Sequence, residues 1–282
     1  MSWRKRSHIK DDESLLLTVD IGNSNIVIGV FAKNTLQADW RIASDRLKTY
    51  DEYGLLLEQL FQCSNLNRSD VKDIIISSVV PNLTDIFKLT CERYFHMVPM
   101  IVGNGLKTGM PIRYENPKEV GADRIVNAVA AIELYGAPLI ILDFGTATTF
   151  CVVNEKGEYL GGAIAPGVGI SLNALIEKTA QLPKVEMIVP DRVIGRNTIN
   201  AIQSGLLYGY CGLVDGMVRR IANELDMPLT DIHVIATGGL AELITANSET
   251  IQTVDQMLTL QGLRILYEKN KKLRNKEDKG GA

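Results

Sequence analysis

"LLLTVDIGNSN", residues 15–25, is an apolar run that ends in an aspartate, Asp20, and then breaks into small polar residues. A carboxylate closing a buried strand is costly unless it has a partner. The pattern returns in "PLIILDFGTATTF", residues 138–150, where the apolar run ends in Asp143. Either corner alone reads as a strand end with a turn-forming aspartate. Two at matching places in one chain point to duplicated halves and a shared use.

The elements around each corner agree. "LLLTVD" and "IVIGVF" read as buried strands joined by a turn at Gly22–Asn25, with "TLQADWRI" as a weaker third strand. "YDEYGLLLEQLFQC" has helical spacing, "DIIISSVV" is a further buried strand stopped by Pro81, and "LTDIFKLTCERYF" is helical again. In the second half "LIILDF" is a buried strand. "TTFCVVNEKGEYLGGAIAPG" is a hairpin turning near Asn154–Gly157. Helices are expected at roughly 169–180 and 198–224, a strand at "DIHVIATGG", and a last helix at "QMLTLQGLRILYEKN". Each half therefore runs three strands, helix, strand, helix. A repeat of this size is a duplicated domain, and it decides the fold class. The expected division is an extension over 1–14, a first domain over 15–135, a second over 136–270 and a charged tail over 271–282. The halves are expected to pack together with a cleft between them.

Composition narrows the function classes. The chain has 282 residues, 46% hydrophobic and 22% charged, which suits a large core or two domains. A net charge of −3 argues against nucleic acid as the main partner. The four cysteines, Cys63, Cys91, Cys151 and Cys211, form no C-x-x-C pair, so neither zinc nor a disulfide framework is indicated. Scattered thiols fit a reducing cytoplasm. No apolar run has signal-peptide or membrane-spanning form. Trp3 and Trp40 carry no readable signal.

The corners themselves suggest phosphate chemistry. Ligands of α/β sheets bind at strand ends. Gly22 permits close backbone approach, and Asn23, Ser24 and Asn25 suit a turn whose N–H groups cradle phosphate. Gly145, Thr146, Thr148 and Thr149 are expected to repeat the design. Two such turns with two carboxylates suit a triphosphate and its Mg²⁺, held through water. Competing motifs are absent. "GNGLKTG" at 103–109 only looks like a P-loop, and "DFG" at Asp143 stands without the rest of a protein-kinase set. His8, His96 and His233 lie outside the glycine turns, which leaves a carboxylate as the expected base. Asp123, in "YENPKEVGADRIVNAVAAIELYG", stands at a helix start; it reads locally as an N-cap or as that base. Arg124 beside it reads as a solvated charge or an anion contact.

With these residues in view, the chain resembles the superfamily of acetate and sugar kinases, Hsp70 chaperones and actin. "DIGNSN", "ENPKEVGADRIVNA", "DFGTATTF", "GGAIAPG", "GRNT" and "QSGLLYGY", in that order, narrow the resemblance to type III pantothenate kinase, from Leu15 to about Tyr267. The resemblance implies two ribonuclease H-like, actin-like ATPase domains, each a mixed sheet with flanking helices. It implies transfer of the ATP γ-phosphate to the primary hydroxyl of pantothenate, the first step of coenzyme A biosynthesis. ATP contacts would fall on Asp20, Ile21, Gly22, Asn23, Ser24, Asn25, Ile26, Val27 and Thr146. Pantothenate contacts would fall on Tyr114, Gly121, Ala122, Asp123, Arg124 and Thr198. Asp123 would accept the proton, Asp143 would bind a monovalent cation (K⁺ or NH₄⁺) beside Mg²⁺, and the protein would be a cytoplasmic homodimer. Two rivals stand beside this reading: another kinase of the acetate or sugar type, and a non-enzymatic ATP-binding regulatory factor.

Overall fold

The computed structural model describes residues 14–103, 105–178 and 185–280. The expected extension over 1–14, including Trp3 and His8, lies outside them except for Ser14, as does the end of the helix expected over 169–180. Among the described residues no helix is long and apolar enough to cross a membrane.

The chain divides into two units. In unit 1, β1 (Leu15–Ile21), β2 (Asn25–Ala32) and β3 (Thr35–Ala43) form an antiparallel meander. Helix α1 (Tyr50–Cys63) leads to β4 (Val71–Ser78), which pairs parallel to β1. Helix α2 (Pro81–Thr90) leads to β5 (Met100–Ile101), parallel to β4. The sheet order is β3-β2-β1-β4-β5. β1 is central and buried on both faces, which explains its unbroken apolar run. α1 starts with a capping box: Thr49 accepts from Glu52 N, and Glu52 accepts from Thr49 N. Its Leu57 and Phe61 are buried with β1, β2 and α2 residues. Helix α3 (Ala122–Tyr135) follows β5, and the division between the units falls within it.

Unit 2 repeats the plan. β6 (Leu139–Phe144), β7 (Ala147–Val153) and β8 (Tyr159–Pro166) are antiparallel. Helices α4 (Val168–Glu177) and α5 (Thr198–Glu224) follow. Then come β9 (His233–Thr237), parallel to β6, a short α6 (Ala241–Thr245), and β10 (Thr253–Val254), parallel to β9. The order β10-β9-β6-β7-β8 matches that of unit 1. Two mixed sheets of identical connectivity with flanking helices are two ribonuclease H-like domains.

The units are not continuous stretches of chain, as the expected division at 135/136 would have it. Met110–Pro117 groups with unit 2, and the last helix, α7 (Leu258–Gly280), groups with unit 1 from Thr259 onward. The reason is packing. A Cβ at Gly262 would overlap the Val126 carbonyl of α3, so the two helices meet backbone to backbone. Thr259 Oγ1 donates to Asn127 Oδ1 at 2.7 Å. Tyr267 OH donates to Asp73 of β4, and Lys271 Nζ reaches the same carboxylate at 3.0 Å. Asn270 clasps the main chain at Lys107 in both directions, each bond 3.0 Å. The "GNGLKTG" stretch is thus fastened to α7, with Asn104 outside the described residues.

Candidate active site

In unit 1, Asp20 is the penultimate residue of β1, half-buried, opposite Val27 of β2 and Ser77 of β4. Gly22 N donates to Asn25 O at 3.0 Å and closes the turn. Asn23, Ser24 and Asn25 are exposed on it. Ile21 and Ile26 are fully buried in the core, so only their main chain can serve a nucleotide. Val27 is half-buried.

In unit 2, Asp143 occupies the same place, penultimate in β6 and opposite Thr149 and Thr237. This turn is shorter: Gly145 N donates to Ala147 O at 3.1 Å. Gly167 N then donates to Thr146 O at 3.1 Å, tying the start of α4 to the turn. The expected set of threonines does not repeat the first turn. Thr146 is exposed on it, but Thr148 and Thr149 are β7 residues paired with Phe144 and Asp143. The Thr148 hydroxyl is buried without a hydrogen-bond partner. Gly238, directly after β9, was missed by the sequence reading. It has φ +93°, and a Cβ there would lie 2.6 Å from Asp143 Oδ1. Any side chain at that position displaces the carboxylate. The "TGG" doublet after a buried strand was the available signal.

Among the described residues no group of three His, Cys, Asp or Glu could hold a metal. Each corner offers one carboxylate with main-chain carbonyls nearby, an oxygen-only set that suits a hard cation whose shell is completed by water and phosphate.

The acceptor residues are placed by tight local packing. Gly121 is the N-cap of α3: its carbonyl accepts from Ile125 N at 3.2 Å. Asp123 is therefore not the cap. It lies inside the first turn, and its Oδ1 accepts from Arg124 N at 2.9 Å. An acidic side chain is stabilised there by the helix dipole. A Cβ at Gly121 would come 2.5 Å from Asp123 Oδ1, so glycine leaves room for the carboxylate. Ala122 begins the helix, and Arg124 Nη2 folds back to Glu119 O at 3.4 Å. In unit 2, the Tyr114 ring lies against Gly161, where a Cβ would sit 3.1 Å from it. Thr198 opens α5, exposed, after the cap Asn197, whose side chain accepts from Asn200 N at 2.8 Å. A Cβ at Gly195 would overlap Ala201 N, so the chain enters α5 against its own first turn.

The "QSGLLYGY" residues hold the surroundings of α5. Gln203 Nε2 donates to Glu186 O at 2.8 Å, and Ser204 Oγ donates to Val193 O. Tyr210 OH donates to Pro166 O at 2.8 Å, at the end of β8.

Duplicated ribonuclease H-like domains, each with an aspartate-ended strand and a glycine turn, define the actin-like ATPase class. The family model of type III pantothenate kinase matches residues 16–220. A type III pantothenate kinase of Citrifermentans bemidjiense is 55% identical over 257 residues, covering 91% of this chain and 100% of the relative. Another, from Geotalea uraniireducens, is 56% identical over 258 residues, covering 91% and 99%. Among solved structures, a conserved Baf family transcriptional activator of Campylobacter jejuni, named provisionally as such, aligns with TM-score 0.58 at 17% identity, covering 91% of this chain and 99% of that one. At that identity the likeness shows the fold alone. The chain belongs to the type III pantothenate kinase family, the ATP-dependent kinases of coenzyme A biosynthesis. A kinase of this kind uses ATP with a divalent metal.

Proposed function

We propose that this chain transfers the γ-phosphate of ATP to the primary hydroxyl of pantothenate, giving 4′-phosphopantothenate, with Asp123 as the proton acceptor. The observation that carries the assignment is the Asp123 carboxylate inside the first turn of α3, kept clear by Gly121, in a chain 55% identical to a named pantothenate kinase. Phosphoryl transfer asks the protein mainly for positioning and charge neutralisation. The Asp20–Val27 turn would supply main-chain N–H groups to the phosphates. Asp20 would hold Mg²⁺ through water, Thr146 would add a second nucleotide contact, and Asp143 would hold K⁺ or NH₄⁺. Tyr114, Gly121, Ala122, Arg124 and Thr198 would bind pantothenate, with Arg124 exchanging its bond to Glu119 O for an anionic group.

ADP release over a panel of pantothenate, hexoses and acetate, with mass identification of the product, tests the reading. 4′-Phosphopantothenate as the product supports it. A sugar or acetate preferred over pantothenate assigns the chain to the other kinase type. MgATP binding without turnover of any acceptor returns the regulatory reading.

The homodimer has support from unit 2. Ile164, Ile170, Leu175, Ile188, Val189 and Ile194 are all exposed, on β8, α4 and the chain before α5, and β8 is a sheet edge. A second copy would cover them. Light scattering at micromolar concentration is expected to give twice the chain mass; a monomer contradicts the dimer. Four free cysteines, three of them buried, suit a reducing cytoplasm.

A further inference from the structure

We propose that the segment directly after β3, Ser44–Arg46, belongs to the triphosphate site: Ser44 positions the Asp20 turn, and Arg46 supplies a guanidinium to the phosphates. This rests on the reading of that turn as the nucleotide site. Ser44 N donates to Ser24 O at 3.1 Å, and Ser44 Oγ donates to Gly22 O at 2.6 Å. These bonds fix the main chain on both sides of Asn23. Arg46 Nη2 donates to Asn23 Oδ1 at 3.2 Å, and Arg46 is itself exposed.

The segment is anchored from below. Asp45 N donates to Tyr53 OH at 3.0 Å, and Tyr53 OH donates to Asp45 O at 2.8 Å. Tyr53 is fully buried on α1. Leu47 N donates to Asp45 Oδ1 at 3.0 Å, which closes the strap just beyond Arg46. The turn and the cation beside it are thus built as one unit before any ligand arrives. A guanidinium resting on a neutral amide oxygen gains by exchanging it for a phosphate, because charge-assisted hydrogen bonds are about twice as strong. The fork of arginine matches phosphate geometry in a way lysine cannot.

The test is MgATP affinity by direct titration of the full chain, alongside KM values for ATP and pantothenate. Arg46→Ala is expected to weaken MgATP about tenfold, the lower end for a lost charged hydrogen bond, and to leave the pantothenate KM in place. Arg46→Lys should fall between. Ser44→Ala should weaken MgATP about threefold with an unchanged melting temperature, and Ser44→Thr, which keeps the hydroxyl, should restore it. Lys72→Ala removes one positive charge near the start of β4, at the end of the strands away from the Asp20 turn, where its ammonium donates to Ser69 O, and should change nothing. Unchanged MgATP affinity in Arg46→Ala overturns the proposal. So does an equal loss in Lys72→Ala, which would make the effect one of net charge. Because binding is read without turnover, a wild type that binds MgATP but does not phosphorylate pantothenate defeats the kinase reading alone, and the Arg46 arm still decides. A wild type that binds no MgATP defeats both.

Discussion

The two aspartate corners share a place in the sheet and differ in what surrounds them. Asp20 ends in an open turn, closed by Gly22 N on Asn25 O, with three exposed polar residues and an arginine on its outer side. Asp143 ends in a shorter turn, bonded to Gly167 and backed by Gly238 with no room for a Cβ. The first turn presents donors; the second holds one carboxylate in place. The same strand end occurs twice with different loops, and the proposal assigns phosphate to the first and a monovalent cation to the second. The proposed base, Asp123, lies at neither corner but in the first turn of α3.

The largest expected effect separates the corners from that helix. Asp123→Asn should reduce kcat by about 10²–10⁴-fold while MgATP binding persists. Near wild-type turnover would remove Asp123 from the chemistry and return it to a helix-end role.

The next contrast sets the two turns against each other. Gly238→Ala adds a methyl at positive φ against Asp143 and is expected to lower stability by about 2 kcal/mol. It should also weaken the response to K⁺. Gly22→Ala meets only Asn25 O, at 3.1 Å, so its stability cost should stay below about 1 kcal/mol while ATP binding weakens. Equal costs in chemical denaturation would mean that the two turns are equally tolerant.

The smallest effect concerns the frame of unit 2. Asp215 of α5 is buried, and burial raises its carboxyl pKa. Hydrogen bonds from Ser248 Oγ, Glu249 N, Thr250 Oγ1 and Thr250 N outweigh this and hold it below the usual 3.8. A carboxyl with a lowered folded pKa contributes stability that is complete above the unfolded value and is lost as pH falls through the folded one. Stability should therefore fall below about pH 4, and Asp215→Asn should flatten that acid limb while lowering stability near pH 7. In unit 1 the corresponding fastening is the Tyr267–Asp73–Lys271 cluster, where burial and Asp73 push the Tyr267 hydroxyl up to about 12. Tyr267 has no charge to lose between pH 3 and 7, so that hydroxyl should contribute no comparable acid limb.

Much of this was legible in the sequence. The long strands, α1 and α5 show in period and composition, and the duplication shows in Asp20 and Asp143. Two-residue β5 and β10 and five-residue α6 do not, because they are too short to carry a period; parallel pairing makes the two strands. The return of α7 to unit 1 depends on Gly262 meeting Val126, a contact between residues more than a hundred positions apart. The sequence puts Asp123 at a helix start but not inside its first turn, a difference of two residues that decides between the cap and a first-turn carboxylate bonded to Arg124 N. The strap at Ser44–Arg46 carries no motif, since its bonds go to main chain, to one asparagine and to the Tyr53 hydroxyl.

The most direct test is pantothenate-dependent ADP release by the full chain, with and without K⁺, in wild type and Asp143→Ala. The expected result is release that requires pantothenate, rises with K⁺ in the wild type and loses that rise in Asp143→Ala. Release that is indifferent to pantothenate would contradict the proposed reaction, and a K⁺ response unchanged by Asp143→Ala would contradict the proposed cation role of Asp143.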